Sequence, residues 1–399
     1  MTSSALAQTL GYRKFPAGRS PRLLLMKADY YVVADVADAA RRLGWEVHEL
    51  PLALSGQTDG DFLQRLLRTL VDVKPDFLLS INAFGFDEPG NLAGLLEDLD
   101  LPLAVWFVDH PLTILGGAPG NARSNAQAFC LERTALPWLA DFGFEEPRHL
   151  PTAANSDVFR LGAPRAPIAD GLESRAVFVG GSWWPRARTR PAPETLLRAR
   201  ELAAGPAALD STFLTATLPA LAAAEALRGE RGSVRAASVA LAETSLQARG
   251  ALLEALLPLS PVVHGDEHWT ELVPGLTPRR PVDPRTELPA IFAASGVNLN
   301  VTAAQLPTGV NQRVWEVPGA GGFLLTDARE DVLAHFDEGV SCVCWRTPEE
   351  ARELAERWLA DPAGRARIAA AANVRVDAEH RTHHRLLTIE RRMRARFAS

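Results

Sequence analysis

Cysteine is scarce in this sequence, with three in 399 residues. Cys130, Cys342 and Cys344 are too few and too unevenly spaced for a disulfide framework or a zinc site. Cys342 and Cys344 alternate on a predicted strand, so both side chains face the same side of it. We therefore expect these two thiols to pack in a core, in a protein of a reducing compartment.

Lysine is scarce as well, since Lys14, Lys27 and Lys74 are the only lysines among 42 basic residues. With abundant alanine, leucine and proline, this composition indicates a GC-rich bacterial genome and carries no information on function. The formal net charge is −6, and the sequence contains no block of basic residues. The signature of a nucleic-acid-binding protein is therefore missing, and we expect no nucleic-acid partner.

Long apolar runs are also missing from the sequence. No segment reaches the roughly 20 apolar residues that a membrane-spanning helix requires. The first residues contain no apolar run of the length found in signal peptides. We therefore expect no transmembrane segment and a cytoplasmic location.

What the sequence does contain is an alternation of short apolar strands with helical segments. A chain of 399 residues with 47% hydrophobic and 23% charged residues is long enough for two soluble domains. Strands that are apolar throughout predict parallel sheets covered on both faces, as in a Rossmann-like domain. Predicted strands lie at 23–26, 45–50, 77–81, 103–108 and 126–131, and again at 176–179, 262–263, 276–280, 297–300, 323–326 and 341–345.

Domain boundaries follow from local composition. The tract 163–174 is rich in proline and is typical of a linker, so we predict a first domain over 1–165 and a second over 172–375. Residues 192–258 are rich in alanine, leucine and arginine without a strand signal, which predicts a helical insertion of two to four helices. A charged helix is predicted to close the chain over 376–399.

The most informative stretch, from Asn311 to Asp327, reads NQRVWEVPGAGGFLLTD and predicts a loop, a short helix with Arg313 and Glu316, a tight turn and a buried strand. A helix start offers unpaired backbone N–H groups and the positive end of a dipole, which suit a diphosphate. A glutamate on the same helix can accept hydrogen bonds from both hydroxyls of a ribose. The stretch therefore predicts a site for a nucleotide-linked substrate. Its backbone donors would be Thr308, Gly309, Val310 and Asn311.

This stretch also carries a family resemblance. Arg313 and Glu316, followed by Gly-Gly-x-Leu-Leu-Thr-Asp, an Asp-Pro, a helix and His-x-x-x-x-Arg, resemble the C-terminal half of glycosyltransferases related to the spore-maturation protein CgeB. The resemblance covers about the last third of the chain. Nearer the N-terminus, Asn82-Ala-Phe and Trp106-Phe-Val-Asp-His-Pro111 are similar to the domain that often precedes it.

The resemblance implies the GT-B fold, an α/β architecture of two Rossmann-like domains whose parallel sheets face a central cleft. In this fold the last helix returns to the first domain. The resemblance also implies a nucleotide-diphosphate sugar as substrate, most often a UDP-sugar, with no cofactor and with retention of configuration. Many retaining GT-B enzymes carry two glutamates eight positions apart here, whereas Thr308 stands eight positions before Glu316. This departure leaves the contact to the donor sugar open.

Residues that directly follow apolar strands are candidates for chemistry, because ligands of open α/β sheets bind beyond the carboxyl ends of the strands. Asp109 and His110 follow the predicted strand 103–108. His110 can hydrogen-bond a sugar hydroxyl or act as a base toward the acceptor, and Asp109 can be that base instead. Alternatively, Asp109 caps a turn and His110 lies at the surface. We assign both as catalytic candidates that face the cleft.

The turn after the predicted strand 176–179 is a candidate for contact with the donor diphosphate. Gly180 and Gly181 allow the backbone to approach a phosphate closely, although most such turns are only tight turns. The resemblance implies that a basic residue after this strand contacts the diphosphate. Arg186, Arg188 and Arg190 follow it, and Arg186 or Arg188 is the preferred candidate for that contact.

A third candidate follows the predicted strand 262–263, where the resemblance places a loop that faces the nucleotide. His264 and Gly265 are its donor-binding residues. His264 and His268 are four residues apart, which invites a metal-site interpretation. However, the zinc motif of this spacing lies within a helix, whereas here a glycine and a strand end intervene. We therefore assign no metal.

Two other polar patterns are interpreted as structural. Asp98 and Asp100 form a DxD string, which binds a metal in another glycosyltransferase fold, but here it precedes a strand and lies at the wrong end of the sheet. His380, His383 and His384 lie at helical spacing on the predicted closing helix. There we expect a solvated or domain-bridging face.

These observations predict a glycosyltransferase that moves a sugar from a nucleotide-diphosphate donor to an acceptor hydroxyl. A helix start and an arginine can neutralise the departing diphosphate, so turnover should need no metal. The acceptor stays open among protein, glycan and small molecule. A sugar-nucleotide 2-epimerase would use the same donor site but needs further carboxylates, for which Glu132, Asp87 and Glu88 are the only candidates. A non-catalytic binding protein is the third alternative, because the first glutamate of the pair is absent.

Overall fold

Two parallel β-sheets organise the chain, one in each of two compact units. The computed structural model describes residues 11–52, 60–87, 89–115, 121–162, 164, 166–184 and 231–398. The first unit comprises residues 1–151 together with 382–399, and the second comprises 152–381. Both are Rossmann-like units with parallel sheets, the two kinds of domain that a GT-B fold contains, as the sequence predicted.

The sheet of the first unit has six strands in the order β2-β1-β3-β4-β5-β6, all parallel. Its three strands β3, β4 and β5 are buried at every residue, because helices cover such strands on both faces, and Ser80 and Gln127 are the only polar residues in them. The strands are β1 (Arg22–Lys27), β2 (Glu46–Pro51), β3 (Phe77–Ile81), β4 (Leu103–Phe107), β5 (Ala126–Cys130) and β6 (Arg148–His149).

Helices of the first unit alternate with these strands. They are α1 (Tyr31–Arg42), α2 (Phe62–Val73), α3 (Asn91–Asp98), α4 (Pro111–Leu115) and α5 (Leu136–Phe142). The last helix of the chain, Thr382–Phe397, also belongs to this unit and packs against α1. Its apolar side chains Leu386, Ile389 and Met393 are fully buried, and each is worth about 1.5–3 kcal/mol when removed from water.

The sheet of the second unit has five strands in the order β11-β10-β9-β7-β8, again all parallel. The strands are β7 (Ala176–Val179), β8 (Val262–His264), β9 (Val297–Leu299), β10 (Leu324–Asp327) and β11 (Val343–Trp345). The helices of this unit are α6 (Arg231–Leu256), α7 (Trp269–Leu272), α8 (Leu288–Ala294), α9 (Arg313–Gly319), α10 (Glu330–His335), α11 (Pro348–Leu359) and α12 (Pro362–Glu379). The helix Thr382–Phe397, which belongs to the first unit, is α13.

Two apolar cores cover the two faces of this second sheet, because successive side chains of a strand point to opposite faces. Val177 and Val179 join one core, whereas Phe178 joins the other. Cys342 and Cys344 lie in the first core with their sulfur atoms 3.9 Å apart. The prediction that these thiols pack in a core on one side of a strand is therefore confirmed.

The strand predicted over 276–280 is wrong. Only one bridge forms beside β8, where the N–H of Arg279 donates to the carbonyl of Val263 (2.7 Å) and the N–H of Gly265 donates to that of Arg279 (3.1 Å). Pro278 and Pro281 flank this point and have no N–H to extend the pairing. The segment therefore forms a β-bridge with the sheet edge at a single residue.

The single closing helix predicted over 376–399 is also wrong at its start. The chain forms α12 and then α13, with a break at His380 and Arg381. At this break the carbonyl of His380 accepts from the N–H of Ala154 (3.0 Å), and Arg381 donates to the carbonyls of Phe159 and Gly319. These contacts hold the backbone of His380 and the side chain of Arg381 at the point where the helix is interrupted.

The break also changes the environment of the tail histidines. His380 is buried, and its ring stacks on that of Trp315 with 4.4 Å between centroids. The prediction of a solvated face therefore fails for His380, because the chain turns inward there. His383 and His384 are half-buried on α13, with their rings 4.0 Å apart.

The predicted helical insertion over 192–258 falls largely outside the described residues. Its last part is the helix α6, a single element of 26 residues. Among the helices that the structure describes, none combines the length and apolar composition of a membrane span.

Candidate functional site

The carboxyl edge of the second sheet gathers most of the predicted donor-binding residues. The strand order reverses at β7, since the chain continues from it to β8 on one side and to β9 on the other. Ligands of open α/β sheets bind in the crevice at such a reversal. Gly180 follows β7, and Asn300 follows β9.

The turn after β7 is joined directly to the turn after β8. The N–H of Gly180 donates to the carbonyl of His264 (2.9 Å), and the indole N–H of Trp269 donates to the carbonyl of Gly180 (2.9 Å). Beside them, the carboxylate of Asp266 accepts from both the N–H and the hydroxyl of Ser182, each at 2.7 Å. The predicted pairs Gly180–Gly181 and His264–Gly265 are therefore one connected structure.

Gly265 lies where two other groups approach its Cα closely, so that a side chain has no room. A Cβ at this position would lie 2.4 Å from the carbonyl oxygen of Gly180 and 2.5 Å from the indole nitrogen of Trp269. Both distances are far below van der Waals contact, so no other residue fits without moving one of the two turns.

Two arginines lie at this pair of turns. A guanidinium nitrogen of Arg313 lies 3.5 Å from the position that a Cβ of Gly180 would take. Arg249 donates to the carbonyl of Gly181 and lies over the ring of Trp183, 5.3 Å from its centroid. Arg249 was missed by the sequence analysis, because it stands on an Ala/Leu/Arg-rich helix without a distinguishing pattern.

The loop before α9 meets the same edge of the sheet. The side-chain amide of Asn311 donates to Asn300 (2.9 Å), which in turn donates to the hydroxyl of Thr326 (2.9 Å). Within the described residues, the backbone N–H groups of Val310, Asn311 and Gln312 find no hydrogen-bond acceptor. Unpaired donors at this position, beside Arg313, suit an anionic group.

Glu316 lies on α9, a helix of seven residues that ends one residue after Pro318. Its N–H donates to the carbonyl of Gln312 at 2.9 Å, and only 7% of the residue is exposed. Glu316 is therefore buried and does not lie on the solvent-exposed face of the helix. The short helix was predicted correctly, whereas the ribose contact of Glu316 stays a prediction.

His264 is fully buried at the end of β8. Its Nδ1 lies 3.1 Å from the carbonyl oxygen of Arg280, which can only accept, so Nδ1 carries the proton. Burial lowers the pKa of His264, which keeps the ring neutral and makes Nε2 an acceptor. No described residue donates to that Nε2. The other histidine of this loop, His268, has its Nδ1 3.3 Å from a carboxylate oxygen of Glu271.

In the first unit, Asp109 stands at the centre of a polar cluster beyond the carboxyl ends of β1, β3 and β4. Its carboxylate accepts from the amide of Asn82 (2.8 Å) and from the hydroxyl of Tyr30 (3.2 Å). The side-chain oxygen of Asn82 accepts from the N–H groups of Val108 (2.8 Å) and Asp109 (3.2 Å). Asn82 thus holds both the backbone and the carboxylate of Asp109.

Tyr30 and Asn82 were not assigned to the site from the sequence. Asn82 adopts a left-handed backbone with φ of +49°, a conformation that asparagine tolerates better than most residues. An asparagine directly after a buried strand was the available signal for it. Tyr30 precedes α1 and carried no comparable signal.

His110 is fully buried next to Asp109. The N–H of Leu112 donates to its Nδ1 (3.3 Å), so the proton of the neutral ring lies on Nε2. Burial lowers the pKa of His110 to about 4, against a weaker opposing effect of Glu132. No described residue accepts from Nε2. Of the two roles predicted for His110, this geometry favours the hydrogen-bond donor over the base, and the surface alternative does not hold.

The remaining candidates from the sequence are the arginines after β7 and the two aspartates before β4. Arg186 and Arg188 fall outside the described residues. Asp98 ends α3 and Asp100 lies in the turn before β4, at the amino end of that strand. Within the described part of the chain, no three His, Cys, Asp or Glu side chains gather as a metal site would require.

Comparison with known proteins bears on the second unit and on the fold. A family model described as glycosyl transferase-like matches residues 249–391, a range that contains Gly265, Arg313 and Glu316. No curated protein sequence matches the chain significantly.

Solved structures similar to this chain cover nearly its whole length. Sucrose-phosphate synthase from Thermosynechococcus elongatus is 11% identical, with a TM-score of 0.51, over 95% of this chain and 100% of that one. A glycosyltransferase from Rickettsia africae is 9% identical, with a TM-score of 0.52, over 95% and 99%. The trehalose-6-phosphate protein from E. coli, bound with UDP-2-fluoro glucose, is 11% identical, with a TM-score of 0.52, over 93% and 99%. At these identities the similarity establishes the fold alone.

Proposed function

We propose that this protein transfers a sugar from a nucleotide-diphosphate donor, a UDP-sugar in the first instance, to an acceptor hydroxyl. The observation that carries the proposal is the meeting of Arg313 with the Gly180 turn at the reversal point of the second sheet. The glycosyl transferase-like family match over residues 249–391 supports the same activity. A structural neighbour that holds UDP-2-fluoro glucose makes UDP the first nucleotide to test.

The chemistry of this edge fits a departing diphosphate. Negative charge grows on the leaving group as the glycosidic bond breaks, and oriented donors stabilise that charge most where water is excluded. Arg313 supplies a permanent positive charge, and the N–H groups of Val310 and Asn311 supply donors that no described residue occupies. In this proposal Glu316 accepts hydrogen bonds from the ribose hydroxyls.

The first unit would act on the sugar and the acceptor. Asp109 is half-exposed, carries a carboxylate held by two donors, and is the base candidate for an acceptor hydroxyl. His110 would donate a hydrogen bond to a sugar hydroxyl from Nε2. Retention of configuration is part of the proposal and rests on the sequence resemblance alone.

A thermal-shift screen with UDP, GDP and dTDP tests the donor site, because a ligand that binds only the folded state raises the stability of that state. Incubation with a panel of nucleotide sugars and simple acceptors then tests the reaction. Release of free nucleoside diphosphate with transfer of the sugar is the expected result. An epimerised donor would point instead to a 2-epimerase, and binding without turnover would point to a non-catalytic binding protein.

Replacing Glu316 with alanine is expected to weaken UDP binding by about 1.5–3 kcal/mol, the range for hydrogen bonds to a charged group. Isothermal titration calorimetry measures this effect directly. Glu330, an exposed glutamate in the first turn of α10, provides the matched control, and Glu330→Ala should bind UDP as the wild type does. A folded Glu316→Ala protein with unchanged affinity would remove the ribose assignment.

Turnover is expected to survive treatment with a chelator. Arg313 and the loop N–H groups would supply the positive charge that a divalent ion supplies in metal-dependent transferases. The measurement compares sugar transfer before and after EDTA, with and without added magnesium or manganese. Activity that disappears with EDTA and returns with either ion would contradict this prediction.

A further inference from the structure

The loop between β9 and α9 has no secondary structure of its own over residues 301–311, although it carries the candidate diphosphate contacts. An irregular segment of this length loses conformational entropy when it is ordered, so something must hold it. The side chains of Val301, Leu306 and Val310 are buried, but the backbone N–H and C=O groups of the loop need hydrogen-bond partners as well. The contacts that order this loop therefore bear directly on the donor site.

Asp327, at the end of the neighbouring strand β10, holds the start of the loop. One oxygen of its carboxylate accepts from the N–H of Thr302 (2.9 Å) and from the hydroxyl of the same residue (3.0 Å). The other oxygen accepts from Nε of Arg329 (2.6 Å). The carboxylate thus links the loop to the arginine.

Arg329 holds the middle of the same loop. Its guanidinium donates from one nitrogen to the carbonyls of Leu306 and Pro307, each at 3.2 Å. Two residues further on, the N–H of Asp331 donates to the carbonyl of Thr308 (3.0 Å). The segment that follows β10 therefore binds the loop at three consecutive residues, directly before Gly309.

The burial of the Asp327–Arg329 ion pair indicates a role other than stabilising the fold. The side chain of Arg329 is fully buried, and that of Asp327 is 5% exposed. Taking two charges out of water costs about as much as their attraction returns, so a buried ion pair is weak evidence for stabilisation of the fold. What this pair does supply is a fixed set of donors for backbone carbonyls that no apolar residue could satisfy.

From these contacts we infer that Arg329 and Asp327 are positioning residues for the donor diphosphate. They fix the backbone of residues 302–308 so that the N–H groups of Val310 and Asn311 keep the orientation in which an anion can bind. Neither side chain touches the ligand in this scheme. The inference rests on the proposed function, because it presumes that the loop binds a nucleotide diphosphate.

The test replaces both charges together, as Asp327→Asn with Arg329→Met. Removing one partner alone would leave a buried unpaired charge and endanger folding, whereas removing both is often tolerated. The amide oxygen introduced by Asp327→Asn can still accept from Thr302, so the loop loses mainly its hold at residues 306 and 307. Thermal unfolding establishes that the variant is folded before its binding is measured.

Two measurements are then compared with those of the wild type. Hydrogen–deuterium exchange should be faster at residues 303–311 and unchanged in the strands of the second sheet. The dissociation constant for UDP, measured by calorimetry, should rise about tenfold if the loop holds its binding-competent form about a tenth of the time. Saturating UDP should return the exchange of the loop toward the wild-type rate.

Arg365 provides the matched control, since it also donates to backbone carbonyls, those of Leu359 and Glu173, at 2.9 and 3.2 Å. Arg365→Met should lower stability while both the loop exchange and the UDP affinity stay at wild-type values. A folded double variant with unchanged UDP affinity would overturn the inference, whether or not the loop exchanges faster. A wild-type protein that binds none of UDP, GDP and dTDP would instead overturn the proposed function, and this inference with it.

Discussion

Replacing Gly265 with alanine is expected to cut turnover by about 10²-fold, the cost of displacing a binding element by roughly 1 Å. The new methyl group would lie 2.4 Å from the carbonyl oxygen of Gly180 and 2.5 Å from the indole nitrogen of Trp269. Relief of that contact moves the turn that faces Arg313. Overpacking of this kind also costs about 1–3 kcal/mol of stability. Sugar-transfer rates and thermal unfolding measure the two effects.

Gly322 offers a control that matches Gly265 in crowding and differs in location. A Cβ there would lie 2.3 Å from the carbonyl oxygen of Phe292, at the amino end of β10. Gly322→Ala should therefore cost stability but leave UDP affinity intact in the folded protein. Equal losses of affinity in both variants would mean that Gly265 acts through the fold and not through the donor turn.

The second large effect is expected at His110, where His110→Asn should lower turnover by about 10²-fold, as the loss of one aimed hydrogen-bond donor does. The asparagine oxygen can still accept from the N–H of Leu112, so the local backbone keeps its partner. Nucleotide affinity should change little, because His110 belongs to the sugar side in the proposed function. Rate measurements at saturating donor, together with calorimetry for UDP, separate the two quantities.

His110 should also make the folded protein sensitive to acid. Its ordinary pKa is 6.5, and burial lowers the pKa in the folded state to about 4. As pH falls through 6.5, the unfolded chain binds a proton that the folded chain does not, so the free energy of unfolding decreases. The decrease continues until about pH 4 and amounts to roughly 3 kcal/mol at 1.36 kcal/mol per pKa unit.

The same variant checks this pH dependence. In His110→Asn the free energy of unfolding, measured by urea titration between pH 7 and 4, should depend on pH less steeply by up to one proton. An identical slope in the wild type and the variant would mean that His110 titrates normally in the folded state. That result would also weaken its assignment as a neutral donor.

Much of the fold could be predicted from the sequence, because strands such as β1, β4 and β7 are nearly continuous apolar runs. The rule that ligands bind beyond the carboxyl ends of parallel strands led to Gly180, His264 and Asp109 without knowledge of their partners. The segment around Arg279 was wrongly predicted as a strand, although Pro278 and Pro281 leave it few N–H groups for pairing. The pairing of an edge segment depends on the number of available N–H groups more than the pairing of a central strand does.

The residues that support the site were harder to predict than those that line it. Asn82, Arg249 and Arg329 act through contacts to backbone carbonyls, N–H groups or carboxylates from distant parts of the chain. No periodicity or spacing encodes the contacts of these side chains to the backbone, because the backbone partners lie 26, 68 and 23 residues away. The inward turn at His380 has the same origin, since its partner Ala154 belongs to a remote loop.

The position of α13 has a consequence for the order in which the protein is made. The six strands of the first unit are complete by residue 149, but the helix that covers α1 begins only at Thr382. During synthesis, the apolar surface that Leu386, Ile389 and Met393 cover is therefore exposed while the second unit is being made. We therefore expect the first unit to begin folding before the second and to be completed after it, with an apolar surface exposed until α13 has been synthesised.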